Sequence, residues 1–199
     1  MLNAQEASPV KRILSLVCLF VCIGAVSAQA QNAAAKEQAP AAVGTTKDPV
    51  ATSLRLLLQR SQNNIVGAVE SMPADKFSYK PTPEQVTFGH MVVHIVESNN
   101  ALCSKVADVP APKVDALKET DSKDVLSAAV KASYAFCTDA LSKMDDSKLG
   151  DNVENFGGHE LPRAVDALRL ASGWADHYAT LAMYLRLNGI LPPSAQPKK

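Results

Sequence analysis

Apolar side chains recur at helical spacing in four separate stretches of this chain. The first stretch begins at Asp48, a residue typical of N-caps, and Pro49 stands at its first helical position. Its periodic pattern continues to about Ser71. Thr87 is placed to cap the second stretch, which extends to about Ala107. The sequence therefore predicts two long amphipathic helices in the first half of the domain.

Two further helices are predicted in the second half. Either Asp121 or Ser122 caps the third helix. Pro162 opens the fourth helix, and Gly189 is a natural stop for it, because glycine adopts the left-handed conformation that ends many helices. Two prolines at 192–193 prevent its continuation.

The apolar positions define the face that each helix turns toward a common core. No heptad run, internal repeat or alternating strand pattern appears, and the connections at 72–85, 108–120 and 145–160 are rich in proline, glycine or polar residues. The sequence predicts an all-α fold, a four-helix bundle, over residues 48–193 with a tail at 194–199. The predicted inward positions are Val50, Leu54, Leu57, Leu58, Ile65 and Val69, then Phe88, Met91, Val92, Ile95, Leu102 and Val106, then Val125, Leu126, Ala129, Tyr134, Cys137 and Leu141, and finally Val165, Leu168, Ala171, Ala175, Tyr178, Leu181 and Leu185.

Residues 1–30 have the pattern of a secretory signal peptide. Lys11 and Arg12 precede an apolar stretch at 13–26, and small residues follow it. The stretch is shorter than the ~20 residues that a membrane span needs. Lipidation at Cys22 is an alternative to simple cleavage, although the valine before it lacks the small side chain that processing favours. We expect an exported protein, periplasmic or secreted, with no membrane span after cleavage and a disordered linker at 31–47.

Loss of this leader leaves two cysteines, Cys103 and Cys137, on different predicted helices. In an oxidising compartment they can form a disulfide worth on the order of 3–4 kcal/mol in the chain-entropy model. Two buried free thiols are the alternative. No CxxC motif is present, which argues against a redox-active dithiol.

The charge balance argues against nucleic acid and anionic membranes as partners. Twenty acidic and twenty basic residues give a formal net charge of zero, so no basic face is available for nucleic acid or an anionic membrane. The chain also lacks GxSxG, Walker-type, HExxH and dinucleotide-binding motifs.

Histidines on two of the helices are the candidate site. His90 and His94 are four residues apart, so both project from one face, and Glu97 continues that face. A functional site would place His94 opposite His177 of the fourth helix, with a divalent ion between them. The alternative is ordinary surface or interior histidines: most helical histidines bind nothing, His90 lies near a helix start, and His159 belongs to the preceding loop.

Two segments of the chain resemble the DinB/YfiT-like family. The residues that carry the resemblance are Thr87–Ile95 with Glu97 and Asn99, and His177-Tyr178 leading into Met183–Gly189 and Pro192-Pro193. The resemblance implies an up-down-down-up four-helix bundle that is often a homodimer. It also implies a divalent metal, commonly zinc or nickel, held by three histidines, and in some relatives thiol-dependent transfer or isomerisation.

By this resemblance His94 matches the first metal ligand and His177 the last, but the middle position is Gly173. Glycine offers no donor, and two imidazoles fall short of the three protein ligands that a catalytic zinc site normally has. His90 is the best substitute, ahead of Asp176 and His159.

Three hypotheses of function follow. The first is a metal-dependent transferase or hydrolase with His94 and His177 as ligands and His90 as third ligand or nearby base. The second is a non-catalytic exported bundle that binds a small molecule or serves a structural role, with a degenerate metal site. The third is an envelope interaction protein tethered by its linker.

Overall fold

The computed structural model describes residues 45–155 and 157–197. The signal peptide predicted at 1–30 and linker residues 31–44 lie outside the described residues. Four long helices dominate the described part of the chain, so the predicted all-α bundle is confirmed. The elements are α1 (Pro49–Ser71), α2 (Phe88–Ala107), α3 (Lys123–Ser142), β1 (Asn152–Glu154), β2 (Glu160–Pro162) and α4 (Arg163–Leu187), with 3-10 turns at Ala74–Lys76 and Pro193–Ala195.

The helices run up, down, down and up. The disulfide between Cys103 and Cys137 lies one turn beyond the Asn99–Ser133 contact on both α2 and α3, so these two helices are parallel. Tyr184, near the end of α4, donates to the backbone oxygen that precedes α2, so α4 is antiparallel to α2. Around the bundle, α1 packs on α3 and α4, and α2 packs on the same two helices. No helix in the described part of the chain is long and apolar enough to cross a membrane.

Parallel α2 and α3 require a connection that returns along the bundle, and residues 108–122 provide it. This crossover passes over the start of α2, where the Thr87 hydroxyl donates to the Glu119 carboxylate at 2.9 Å. A Cβ at position 89 would collide with the Glu119 carbonyl oxygen. Glycine is therefore required where the crossover meets α2.

Local capping signals in the sequence are largely confirmed. The Thr87 hydroxyl accepts from the His90 amide at the start of α2, and Ser122, rather than Asp121, caps α3. Gly189 has a φ of 73° after the end of α4, and the following amide reaches back to the Leu185 oxygen, as in a Schellman motif.

The predicted cap of α1 is wrong. Asp48 makes no side-chain cap hydrogen bond; instead the carboxylate of Asp146, from the loop after α3, accepts from the amides of Val50 at 2.9 Å and Ala51 at 2.8 Å. An acidic side chain also complements the positive end of the helix dipole. A residue almost a hundred positions away thus fixes the start of α1.

Some predicted inward positions face solvent. Leu57 of α1 is 43% exposed, Val125 of α3 is 48% exposed and Leu168 of α4 is 69% exposed. The interior of α4 is instead built on Trp174 and Tyr184, both buried. The predicted stripe of α4 was therefore out of phase over its first half. The other exposed positions that had been predicted to face inward are Val50 and Ala175.

The connection between α3 and α4 contains a β-hairpin that the sequence pattern did not predict. Its two strands are antiparallel, with Val153 opposite Leu161. After β1, the Asn155 side chain donates to the buried carboxylate of Asp166 at 3.0 Å. Buried Arg163 pairs with Asp108, at the end of α2, at 3.4 Å. The hairpin is thereby joined to α4, and α4 to the end of α2.

The chain remains ordered beyond the predicted end of the domain at residue 193. The Tyr178 hydroxyl contacts both the hydroxyl of Ser194 at 2.6 Å and its amide at 2.8 Å. Pro193 packs toward Gly67 of α1. The first residues of the predicted tail therefore continue the packed surface.

Candidate functional site

The structure brings His94 and His177 together. His94 projects from α2 and His177 from α4, and their ring centroids are 5.0 Å apart at an interplanar angle of 83°. Two imidazoles on one tetrahedral zinc ion would have centroids roughly 5.3 Å apart, from a Zn–N distance of about 2.1 Å and the tetrahedral angle. The separation of the two rings thus suits two ligands of one ion.

The environment of His177 keeps its ring in the form that binds metals. Burial is the main cause that lowers the pKa of His177, to about 4. The neighbouring His94 also lowers this pKa, and Asp176 opposes the shift by a smaller amount. The ring is therefore neutral near pH 7, as a metal ligand must be. Its Nδ1 atom is buried and has no hydrogen-bond partner among the described residues. A buried imidazole nitrogen without a hydrogen-bond partner or a bound ligand lowers the stability of the fold.

Position 173 is where the site falls short of a three-histidine centre. A Cβ built on Gly173 would meet only the Cε1 atom of His177, at an ordinary 3.7 Å. A β-carbon can therefore be added one turn before His177 without a clash, but glycine places no donor there. Among the residues that the structure describes, no three His, Cys, Asp or Glu side chains are grouped to hold a metal. The pair can supply at most two imidazole donors to one ion, which is fewer than a complete protein-held centre has.

His90 lies in a different cluster. Its Nδ1 atom is 3.3 Å from the carboxylate of Glu119, which also accepts from the Thr87 hydroxyl at 2.9 Å. These three residues join the cap of α2 to the crossover. The structure places the His90 side chain beside Glu119 and does not group it with His94 and His177. Its role as a third metal ligand stays a prediction.

The other proposed substitutes are also outside the pair. His159 lies in the hairpin turn, where its backbone oxygen accepts from the Asn155 amide at 2.8 Å. Asp176, although adjacent to His177 in sequence, is exposed on α4.

A solvent-open cavity of about 400 Å³ adjoins the pair on the α2 side. Its polar lining comes from His94, Glu97 and Ser98, and the Ser98 hydroxyl is 3.5 Å from His94 Nε2. Glu97 thus lies on the histidine face as the spacing predicted, and exposed. A small molecule entering this cavity would reach the His94 ring directly.

A buried polar network beneath the pair connects α2 to α3 and α4. The Trp174 indole donates to the Asn99 side-chain oxygen at 2.9 Å, and the Asn99 amide donates to the Ser133 hydroxyl at 3.1 Å. Because Asn99 and Trp174 lie on the same helices as the two histidines, this hydrogen bond joins the two helices that carry the pair. Sequence analysis missed the network; its signal was a polar Asn99 inside the apolar stripe of α2.

A second buried hydrogen bond joins α1 to α3. Ser61 and Tyr134 place their hydroxyl oxygens 2.6 Å apart. Burial raises the pKa of Tyr134 to about 12, so the phenol is protonated at physiological pH. All four helices therefore carry polar side chains that specify how they pack.

The family model for the DinB superfamily matches residues 57–180. The chain belongs to the DinB superfamily. The match contains both histidines of the pair and Gly173 between them, so the incomplete site lies within the DinB domain itself. No curated protein sequence matches the chain.

Solved structures support the DinB fold. A DinB-like protein from Bacillus subtilis superposes with a TM-score of 0.59 at 18% identity, covering 73% of this chain and 99% of that one. A DinB-like protein from Bacillus cereus gives 0.56 at 15% identity, with coverages of 72% and 95%. A conserved protein from Enterococcus faecalis gives 0.55 at 13% identity, with coverages of 72% and 98%. At these identities the likeness shows the bundle fold.

Proposed function

We propose that this DinB-superfamily chain binds a divalent cation, zinc or nickel, through His94 and His177, as a binding module with open coordination positions. The observation that carries the proposal is the facing pair of imidazoles, 5.0 Å apart, contributed by two antiparallel helices. The neutral His177 ring with its unpartnered Nδ1 atom supports it. Affinity is expected to be modest, because only two protein ligands contribute.

A metal-dependent transferase or hydrolase is the second candidate. The cavity beside His94 favours it, because Glu97 is a carboxylate that can accept a proton next to the pair. A bound divalent ion would supply Lewis acidity and lower the pKa of a bound thiol or water. Against this candidate, Gly173 leaves the centre without a third imidazole.

Export of the chain is part of the proposal. The signal-peptide pattern at 1–30 supports it, and so does the disulfide between Cys103 and Cys137, because such bridges persist in oxidising compartments. We also propose that a small molecule is the partner of the cavity beside His94, and that two copies associate as the family resemblance implies.

Metal titration tests the binding proposal. Purified protein is titrated with zinc or nickel by calorimetry, comparing the wild type with His94→Ala, His177→Ala and the control His159→Ala. We expect one weak site in the wild type, its loss in the first two variants and no change in the control. Absence of binding in the wild type, or wild-type affinity in His177→Ala, would overturn the proposal.

The Gly173→His variant tests the geometry. Because a Cβ at position 173 would meet only the edge of His177, at an ordinary contact distance, we expect the new imidazole to be accommodated and to tighten zinc binding. Unchanged affinity in a folded Gly173→His protein would contradict the arrangement. Hydrolysis of activated esters and thiol transfer, assayed with zinc in this variant and the wild type, separates the enzyme hypothesis from the binding hypothesis.

A further inference from the structure

A second cavity, of about 290 Å³, lies on the α3 side of α2, whereas the histidine pair lies on the α4 side. Its floor is formed by α2 and α3, and its cover is the crossover 108–122. Most of the lining is apolar, which is typical of small-molecule sites with a few polar groups. The lining includes Asn100 from α2, Val114 from the crossover, and Val125 and Ala129 from α3.

Asn100 is one of the residues that line this cavity, and it is 8% exposed. Its Oδ1 atom is buried and accepts no hydrogen bond from any residue that the structure describes. Buried amide oxygens are almost always paired, and an unpaired one is a standing cost to the fold. A ligand with a hydrogen-bond donor would satisfy this acceptor.

The cover of the cavity is weakly held. Within the described structure, residues 110–117 form no backbone–backbone hydrogen bond, and the crossover is held by polar contacts toward its two ends, from Val109 to Ser104 and from Glu119 to Thr87 and His90. At the rim, Val114 is 62% exposed and Val125 is 48% exposed, so apolar surface extends from the interior to solvent. Such a segment can move outward without breaking a ladder of hydrogen bonds. The cavity thus has an entrance.

We propose that this cavity binds a small, largely apolar molecule that carries one hydroxyl or N–H group, which donates to Asn100. A dry cavity of 150 Å³ accommodates benzene, so about 290 Å³ suits a molecule of roughly 10–12 non-hydrogen atoms. The site uses neither His94 nor His177 and is independent of metal binding.

The test compares two probes of equal size, 2-naphthol and 2-methylnaphthalene, by fluorescence titration of the purified protein. Only the naphthol can donate to Asn100, so the ratio of the two affinities reports that hydrogen bond. Asn100→Leu keeps the number and branching of the side-chain atoms but removes the acceptor. In this variant the affinity of 2-naphthol relative to that of 2-methylnaphthalene should fall about fivefold to tenfold. Since this variant removes a buried unpaired polar group, it is expected to fold.

Two substitutions of alanine by phenylalanine on α3 test the location of the site. Ala129→Phe fills the cavity and should abolish binding of both probes, whereas Ala135→Phe, at an exposed position that does not line the cavity, should leave both affinities unchanged. Circular dichroism checks that each variant is folded. An unchanged affinity ratio in Asn100→Leu, undiminished binding in folded Ala129→Phe, or no binding of either probe by the wild type would each overturn the proposal.

Discussion

Reduction of the disulfide between Cys103 and Cys137 is expected to destabilise the bundle strongly. The bridge joins α2 to α3, and its Cα atoms are 5.3 Å apart, within the usual range for a disulfide. Both half-cystines are buried. The cross-link is therefore expected to stabilise the fold mainly by restricting the conformational freedom of the unfolded chain.

The size of the effect follows from the loop that the bridge closes. A sequence separation of 34 residues gives a loss of unfolded-chain entropy of about 12.6 cal/mol/K, or about 3.8 kcal/mol at 25 °C, in the chain-entropy model. For a domain of roughly 150 residues, each kcal/mol corresponds to about 2–4 °C in Tm. We therefore expect reduction to lower the Tm by about 8–15 °C.

The assay is urea unfolding followed by circular dichroism. Because the sulfurs are buried, the wild type is unfolded in urea with a phosphine reductant and refolded before measurement, alongside an oxidised sample treated identically. The double variant Cys103→Ala/Cys137→Ala is the control, and its midpoint should not respond to the reductant. The m-value should rise on reduction, because the unfolded chain without its cross-link exposes more surface.

Two results would refute the reasoning. Equal midpoints for oxidised and reduced wild type would mean that the bridge does not form or that the unfolded chain is already compact. An equal shift in the double variant would mean that the reductant acts elsewhere.

Three further perturbations follow from the structure. Gly89→Ala should lower the unfolding free energy by about 2 kcal/mol, because its methyl group meets the Glu119 carbonyl oxygen, whereas Gly150→Ala, with open space around it, should be near neutral in the same urea assay. Asp146→Ala should cost about 1 kcal/mol through loss of the α1 cap, and a wild-type midpoint would contradict that cap. The pKa of His177, lowered to about 4, lies below its unfolded value of 6.5, so the unfolded chain binds more protons between these limits. Stability should therefore fall as pH drops from 6.5 toward 4, by about 1–2 kcal/mol once solvent screening of this half-buried ring is allowed for, and the slope should flatten in His177→Gln.

Features encoded within one helical turn could be predicted from the sequence. The cap at Thr87 and the stop at Gly189 depend on residues only a few positions apart, and both are confirmed. The cap of α1 could not be predicted, because Asp146 reaches it only after the bundle has formed. Strands of three residues are likewise too short to show an alternating pattern, so the hairpin could not be predicted from the sequence.

The inner face of α4 was misplaced for a different reason. This helix contacts both α1 and α2, so its buried surface is wide, and small alanines dilute the apolar signal. The buried Trp174, rather than exposed Leu168, marks its interior. The pairing of His94 with His177 was nevertheless predicted, because the family resemblance supplied the long-range information that periodicity lacks.

The crossover and the disulfide together make the chain tolerant of a break. Lys113 is exposed within the crossover segment that forms no backbone hydrogen bonds, so trypsin has a natural cleavage point there. The two fragments would each carry two helices and stay covalently joined, since Cys103 and Cys137 fall on opposite sides of the cut. After such a cut the disulfide is the covalent link between the two fragments, and reduction leaves only the packing of the four helices to hold them together.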